Sequence, residues 1–311
     1  MAVNASAIKE LRERTQAGMS DCKVALEEAG GDMEKAVEVI LKKGLAKSAK
    51  KAGNVASEGE IRASVSSDKR AATIVEVNIQ TDFSARNEAF KKFVADVHAI
   101  AEKSAPGTDL STQSMAGKTV GEIAAELTGK IGEKIHVRRW GRLEVPAGKH
   151  GLCASYVHFN SRIGVIVELQ TESAAAASHA ETAKFADEVC TQIASMRATV
   201  VKRDEVAADV IAKQKEIFEA QLKEDPKTAA KQANWPKMIE GKVNKWFSEC
   251  ALLEQESAEK PGQTIDKLRE AAGKAAGAPI QVVKFLRYEL GEGIEKKTDD
   301  FAAEVAKMAG G

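Results

Sequence analysis

Few residues of this chain are spaced for bond-making chemistry. Cys22, Cys153, Cys190 and Cys250 lie far apart and form no CxxC pair, so they read as buried or idle thiols of a reducing compartment rather than metal ligands. Gly117-Lys118-Thr119 has the end of a phosphate loop, but Thr112 stands where the first glycine is required and no strand precedes it. Gly291-Glu292-Gly293 sits among carboxylates that repel phosphate. No Ser/His/Asp arrangement or His-rich cluster is present, so neither an enzyme nor a cofactor is expected. What remains is Thr81-Asp82-Phe83-Ser84, a carboxylate beside a large apolar ring. Such a pair makes no bonds, yet an exposed ring held at the end of a rigid strand can wedge into a partner. The alternative is local: Asp82 caps a turn and Phe83 packs beneath the next helix.

The elements around this stretch fix where it stands. Thr73, Val75, Val77 and Ile79 share one strand face, with Ile74, Glu76, Asn78 and Gln80 on the other. The alternation stops at Thr81, and after a cap at Asn87 a helical pattern runs through Phe90, Phe93, Val94, Val97 and Ile100. Phe83 is therefore expected at a strand-to-helix corner. Before it, Ile61, Ala63 and Val65 form a hairpin partner turned by Ser66-Ser67-Asp68-Lys69. After it come a loop over 104–114, a helix through Val120 and Leu127, and an extended segment from Ile135 to Val145.

The first fifty residues read as three short helices: one over 6–15, a second capped by Asp21, and a third capped by Asp32 and stopped at Gly44. Lys42, Lys43, Lys47, Lys50 and Lys51 then form a basic connector, read as a solvated helix end or as a contact for RNA or an acidic surface. Ile74-Val75-Glu76-Val77 and Phe93 recur as Ile166-Val167-Glu168-Leu169 and Phe185 at one offset of 92 residues. Two related hairpin-plus-helix subdomains follow from that, the second with no equivalent of Asp82-Phe83, which marks the corner as an insert special to the first copy. Helices over 205–222 and from Pro236 form an antiparallel hairpin whose apolar stripe packs on itself or mediates self-association. A helix over 263–276 and a strand through Val282–Leu290 close the core.

The chain is α+β, with 311 residues, 43% hydrophobic and 30% charged, enough for two or more structural units. Lys+Arg 46 balance Asp+Glu 46, which argues against a protein built to coat nucleic acid. No apolar run reaches the roughly 20 residues of a membrane span. Met1 to Thr15 is charged and amphipathic, unlike a signal or transit peptide, so a cytoplasmic protein is expected.

Glu76 to Arg86 closely resembles the core motif of the elongation factor Ts family, with Ile79 and Ser84 departing from the commoner small or thiol residue and valine. Leu11 to Thr15 with Ala17-Gly18-Met19 and Asp21-Cys22-Lys23 resembles that family's N-terminal motif, with Gln16 and Ser20 in place of the usual Gly and Met. The same stretch resembles a ubiquitin-associated-like domain. Ser155-Tyr156-Val157-His158 resembles the family's Tyr-x-His hairpin, here with Phe159 and Asn160 where many members carry glycines. Phe285 to Glu295 with Asp300 to Val305 resembles its C-terminal module.

The resemblance implies a ubiquitin-associated-like domain over 1–54, a core N-subdomain over 55–150, a core C-subdomain over 151–293 with the helical hairpin at about 205–248, and a C-terminal module over 294–311. It implies a guanine-nucleotide exchange factor for elongation factor Tu. Thr81, Asp82, Phe83 and Ser84 would dislocate the partner's Mg²⁺, and Arg12, Met19, His158, Phe301 and Met308 would bind the partner in its GDP-bound and nucleotide-free states. The competing class is a non-catalytic adaptor that holds a ribosomal or nascent-chain partner through the N-terminal domain.

Overall fold

The computed structural model describes residues 4–15 and 17–295. Phe301 and Met308 of the expected C-terminal module lie outside the described residues, as does Gln16. The described residues divide into two compact units, one built from those up to residue 62, residues 75–140 and residues 288–295, the other from residues 63–74 and 141–287.

In chain order the elements begin with helices α1 (Ala5–Thr15), α2 (Met19–Glu28) and α3 (Met33–Lys51). Strands β1 (Glu58–Val65) and β2 (Ala71–Ile79) lead to the one-turn helix α4 (Asp82–Ala85) and to α5 (Glu88–Ala101). Then come β3 (Ser114–Met115), β4 (Lys118–Thr119), α6 (Val120–Ile131) and β5 (His136–Glu144). The order β1-β2-β5 makes the first three-stranded sheet. The rest comprises β6 (His150–Val157), β7 (Ile163–Thr171), α7 (Ala174–Ala177), α8 (Ala180–Met196), α9 (Ala208–Glu224), α10 (Pro226–Ala229), α11 (Trp235–Cys250), α12 (Ile265–Ala276) and β8 (Ile280–Glu289). Here the sheet order is β6-β7-β8, with β6 and β7 antiparallel from His150↔Thr171 to Val157↔Gly164. The α+β architecture is as expected.

In the first unit, α1–α3 close over Leu11, Cys22, Ala25, Leu26, Ala36 and Ile40. Asp32 caps α3 by accepting from the Lys35 amide at 3.1 Å. Two expectations are corrected. Gly18, not Asp21, is the N-cap of α2, and Asp21 lies in its first turn, where a carboxylate still favours the helix dipole. Gly44 does not stop α3, which continues to Lys51 and turns most of the basic connector into helix. Its missing side chain serves a helix crossing instead. Gly44 meets Gly129 of α6 so closely that a Cβ on Gly129 would stand 2.4 Å from the Gly44 Cα. Gly129→Ala gains about 1 kcal/mol of helix propensity but forces the two backbones apart at about 1–3 kcal/mol. A net loss of about 1 kcal/mol is expected in urea unfolding, and a stabilised variant would show that the crossing is loose.

Val75, Val77 and Ile79 from β2 pack with Phe90, Phe93, Val94 and Val97 from α5, and with Val120 and Leu127 from α6. A two-residue strand, β3, does precede Gly117-Lys118-Thr119, but it pairs back antiparallel on β4 with Met115 opposite Lys118. The segment serves this packing: Thr119 caps α6 in a reciprocal box with Glu122, and Lys118 pairs with Glu126.

In the second unit, Val165, Val167 and Leu169 of β7 pack on Phe185, Val189 and Ile193 of α8, with Leu268 of α12 and Ile280 of β8. The α9–α11 hairpin carries its own core of Val243, Phe247 and Cys250 against Ile211, Phe218 and Trp246. Pro226 ends the run after α9 by starting α10, at a position where its missing N–H costs nothing.

The repeat extends well beyond the residues that suggested it. At the same offset, α4 matches α7 and α5 matches α8 at their first residues, and the caps Thr81 and Asn87 match Ser173 and His179. Gly59 and Gly151 match too: a Cβ on either would lie 2.1 Å from the carbonyl of Val77 or Leu169. Even a polar pair recurs, the Asn78 amide on Glu76 at 3.1 Å, buried, and the Gln170 amide on Glu168 at 2.7 Å, half-buried. The corner is therefore not an insert of the first copy. The backbone turn is common to both copies, and only its side chains differ, Asp82-Phe83 in one and Ala174-Ala175 in the other.

Candidate partner-binding site

Every residue of β2 is buried, so the strand is a fixed rod ending at the corner. Its apolar face lies on α5 and α6. On the other face Glu76 is fully buried, where a lone carboxylate would be costly. It is enclosed by donors: Gly291 N at 2.8 Å, Arg138 Nη1 at 3.0 Å, Arg139 Nε at 2.5 Å and Asn78 Nδ2 at 3.1 Å. Burial pushes the Glu76 carboxyl up, but the Gly291 amide, Arg139, Arg138 and Asn78 together hold it below the usual carboxylate range. The same arginines grip the turn after β8, Arg139 reaching the Glu289 carbonyl at 3.0 Å and Arg138 the Glu292 carbonyl. The Arg139 guanidinium also lies 4.2 Å over the Tyr288 ring. Gly291 has φ 73°, and a Cβ there would stand 2.4 Å from the Ser57 carbonyl, so the turn admits no side chain.

Past Gln80 the chain enters α4. Thr81 is the N-cap, its hydroxyl accepting from the Ser84 amide at 3.2 Å, so Asp82 does not cap the turn. Asp82 is exposed and pairs with Arg86 at 3.1 Å. Phe83 is 79% exposed, so it does not pack beneath the following helix, and Ala85 is the residue of this turn that leans on the core. Glu133, from the loop after α6, was not singled out from the sequence. Its carboxylate accepts from Thr81 N at 2.9 Å, Thr81 Oγ1 at 2.8 Å and Ser84 Oγ at 2.7 Å. Next to it, Gln80 Oε1 accepts from Lys134 N at 2.9 Å and Asn54 Nδ2 at 3.1 Å. The only local signal was Gly132, which ends α6 at φ 84° and turns the chain toward the corner.

Thr81 and Ser84 thus meet on one carboxylate, with Asp82 and Phe83 exposed between them. Arg12 and Met19 lie on the N-terminal helices instead, both exposed, Met19 at the first position of α2. In the second unit His158 follows β6, half-buried, with Nδ1 2.9 Å from the Tyr156 hydroxyl and its ring 4.4 Å from that of Phe159. Phe159 is 90% exposed. The turn is closed by Ser161 N on the His158 carbonyl at 2.7 Å, and Asn160 Oδ1 accepts from Arg162 N at 3.1 Å. All four cysteines are buried, and burial pushes the Cys153 thiol up to about 12. Among the described residues no helix is long and apolar enough to cross a membrane.

The family model for elongation factor TS matches residues 80–292, a span that includes α4, Glu133 and the turn after β8. The chain is 45% identical over 311 residues to elongation factor Ts of Clostridium perfringens (strain SM101 / Type A), covering 99% of each chain. It is 44% identical over 309 residues to that of Symbiobacterium thermophilum, covering 99% of this chain and 98% of the relative. With elongation factor Ts of Thioalkalivibrio sulfidiphilus it shares 43% identity over 313 residues and the full length of both. With a corner of this geometry inside the matched span and relatives aligned end to end, the chain belongs to the elongation factor Ts family.

Proposed function

We propose that this protein is a guanine-nucleotide exchange factor that binds elongation factor Tu–GDP in the cytoplasm and promotes GDP release, so that GTP can reload. Family membership supports the partner class. The observation that carries the mechanism is Phe83, an aromatic ring left 79% exposed at the end of a fully buried strand. An exposed ring on a rigid mount loses little entropy on insertion and offers a large apolar area to a cleft.

Exchange is a linkage problem: binding of this protein and of GDP to the partner must be mutually unfavourable. Phe83 spreads apolar packing in the partner's nucleotide domain, and Asp82, framed by Thr81 and Ser84, disturbs the groups and waters that hold Mg²⁺. Losing that ion weakens the hold on the nucleotide phosphates, whose charge it offsets. Speeding release ~1000-fold takes about 4 kcal/mol realised at the release transition state. Arg12, Met19 and the hairpin at His158 anchor the wedge, together with the C-terminal module that carries Phe301 and Met308. Functionally the chain divides into an N-terminal docking domain over 1–54, core subdomains over 55–150 and 151–293, and that module over 294–311.

The test is release of a fluorescent GDP analogue from elongation factor Tu, measured across a concentration series of this protein and of Asp82→Ala. The wild-type chain is expected to raise the rate to a plateau. Asp82→Ala is expected to lower that plateau about tenfold, a loss of about 1.4 kcal/mol at the transition state. Its stability should change by less than about 0.5 kcal/mol, because its ion pair with Arg86 is exposed. Complex formation without any acceleration by the wild-type chain would replace exchange with simple binding.

A further inference from the structure

We infer that Glu133 is a positioning residue for the exchange step, acting through the orientation of Asp82 and Phe83; this rests on the exchange reading above. A four-residue helix cannot hold its own direction, because nucleation fixes several dihedrals for very few hydrogen bonds. Its orientation has to come from what it touches. Glu133 takes hydrogen bonds from Thr81 and Ser84, the residues immediately before and after the exposed pair. The bonds form a chain, in which the Ser84 amide donates to the Thr81 hydroxyl and that hydroxyl donates to the carboxylate. Such chains strengthen one another, and an ionised acceptor shortens and stiffens its bonds.

The second copy of the repeat shows the other way to hold the same turn. In α7, Ala176 replaces Ser84 and is completely buried, and its carbonyl accepts from the Thr182 hydroxyl at 2.7 Å, so packing and a buried hydroxyl fix the turn. In α4, Ser84 is only half-buried and its hydroxyl is tied to Glu133. Holding the turn by a carboxylate at its flanks leaves the outward pair free to meet a partner. Glu133 therefore sets where Asp82 and Phe83 point without itself being an exposed contact.

The experiment is a double-mutant cycle on the plateau rate of fluorescent-GDP release from elongation factor Tu, using Glu133→Ala, Glu133→Gln, Phe83→Ala and Glu133→Ala with Phe83→Ala. Glu133→Ala is expected to lower the plateau roughly tenfold, and the same change in the Phe83→Ala background by about threefold or less, the remainder being what still passes through Asp82, as for residues acting through one network. The half-saturating concentration should stay within about twofold, and Glu133→Gln, which keeps one acceptor oxygen, within about threefold of the wild-type plateau. Thermal unfolding verifies that each variant is folded. Glu133→Asp, a methylene too short to reach both flanks, takes the place of the alanine variant if that variant is unfolded. An unchanged plateau in a folded variant, a loss confined to half-saturation, or an equal loss in both backgrounds overturns the inference. Full activity of Phe83→Ala with Glu133 intact is a different result: it removes the wedge itself and this inference with it.

Discussion

Phe83→Ala is expected to lower the plateau rate of GDP release from elongation factor Tu by about 100-fold while leaving the free protein almost as stable as before. The two halves of that expectation have one source. The ring is 79% exposed in the free protein, so removing it leaves no cavity, and unfolding should shift by less than about 0.5 kcal/mol. In the complex the same ring can bury about 150–250 Å², worth about 4–6 kcal/mol at 25 cal/mol per Å². If about half of that is realised only as the nucleotide leaves, the loss is about 2.7 kcal/mol, or two decades in rate. Plateau and half-saturation separate two roles. A wedge lowers the plateau, whereas an anchor that binds ground and transition states alike raises the half-saturating concentration and spares the plateau. A full plateau for Phe83→Ala would end the wedge reading.

The corner was legible because its signal is local. Strand alternation stops at Thr81 and an apolar ring falls where no periodic face remains to receive it. The repeat was legible for a similar reason, since one offset aligned a strand and a helix. Its full extent became visible only in three dimensions, where Gly59 and Gly151 press on equivalent carbonyls and the caps Thr81 and Ser173 match. Residue type hid that match: Ala174-Ala175 looks nothing like Asp82-Phe83, yet the backbones make the same one-turn helix.

Contacts distant in sequence were not legible. Gly44 carries the ordinary mark of a helix stop, and only its meeting with Gly129 shows why the helix runs through it. Glu133 lies about fifty residues from the turn it holds, in a loop with no periodicity. Glu76 is the plainest case. Alternation put it on a face that looked half-polar, whereas it is fully buried, with Arg138, Arg139 and Gly291 supplied from far along the chain. A carboxylate inside a strand pattern says only that the face is wet or that partners exist, and single-sequence spacing cannot distinguish the two.

Replacing Glu76 is accordingly expected to damage the fold severely. Glu76→Ala leaves two guanidinium groups and the Gly291 amide facing a space with no acceptor. Breaking a buried pair in this way costs about 3–5 kcal/mol. The low end applies, because Arg138 and Arg139 keep 22% and 29% of their side-chain surface and can regain some water. Glu76→Gln preserves the shape but removes the charge and turns an amide donor toward donors, so it is expected to recover only part of the loss. Acid distinguishes the charge from the shape. The folded-state pKa of Glu76 is depressed, so its ionisation contributes stability that is present above the unfolded-state value, about 4.3 for glutamate, and is lost as pH falls through the folded-state value. Urea unfolding of wild type and Glu76→Gln should therefore differ most near neutrality and converge as the solution is acidified below pH ~4. A gap that stays constant down the acid limb would mean that packing, not the carboxylate's charge, holds the turn after β8 against the strand that carries Phe83.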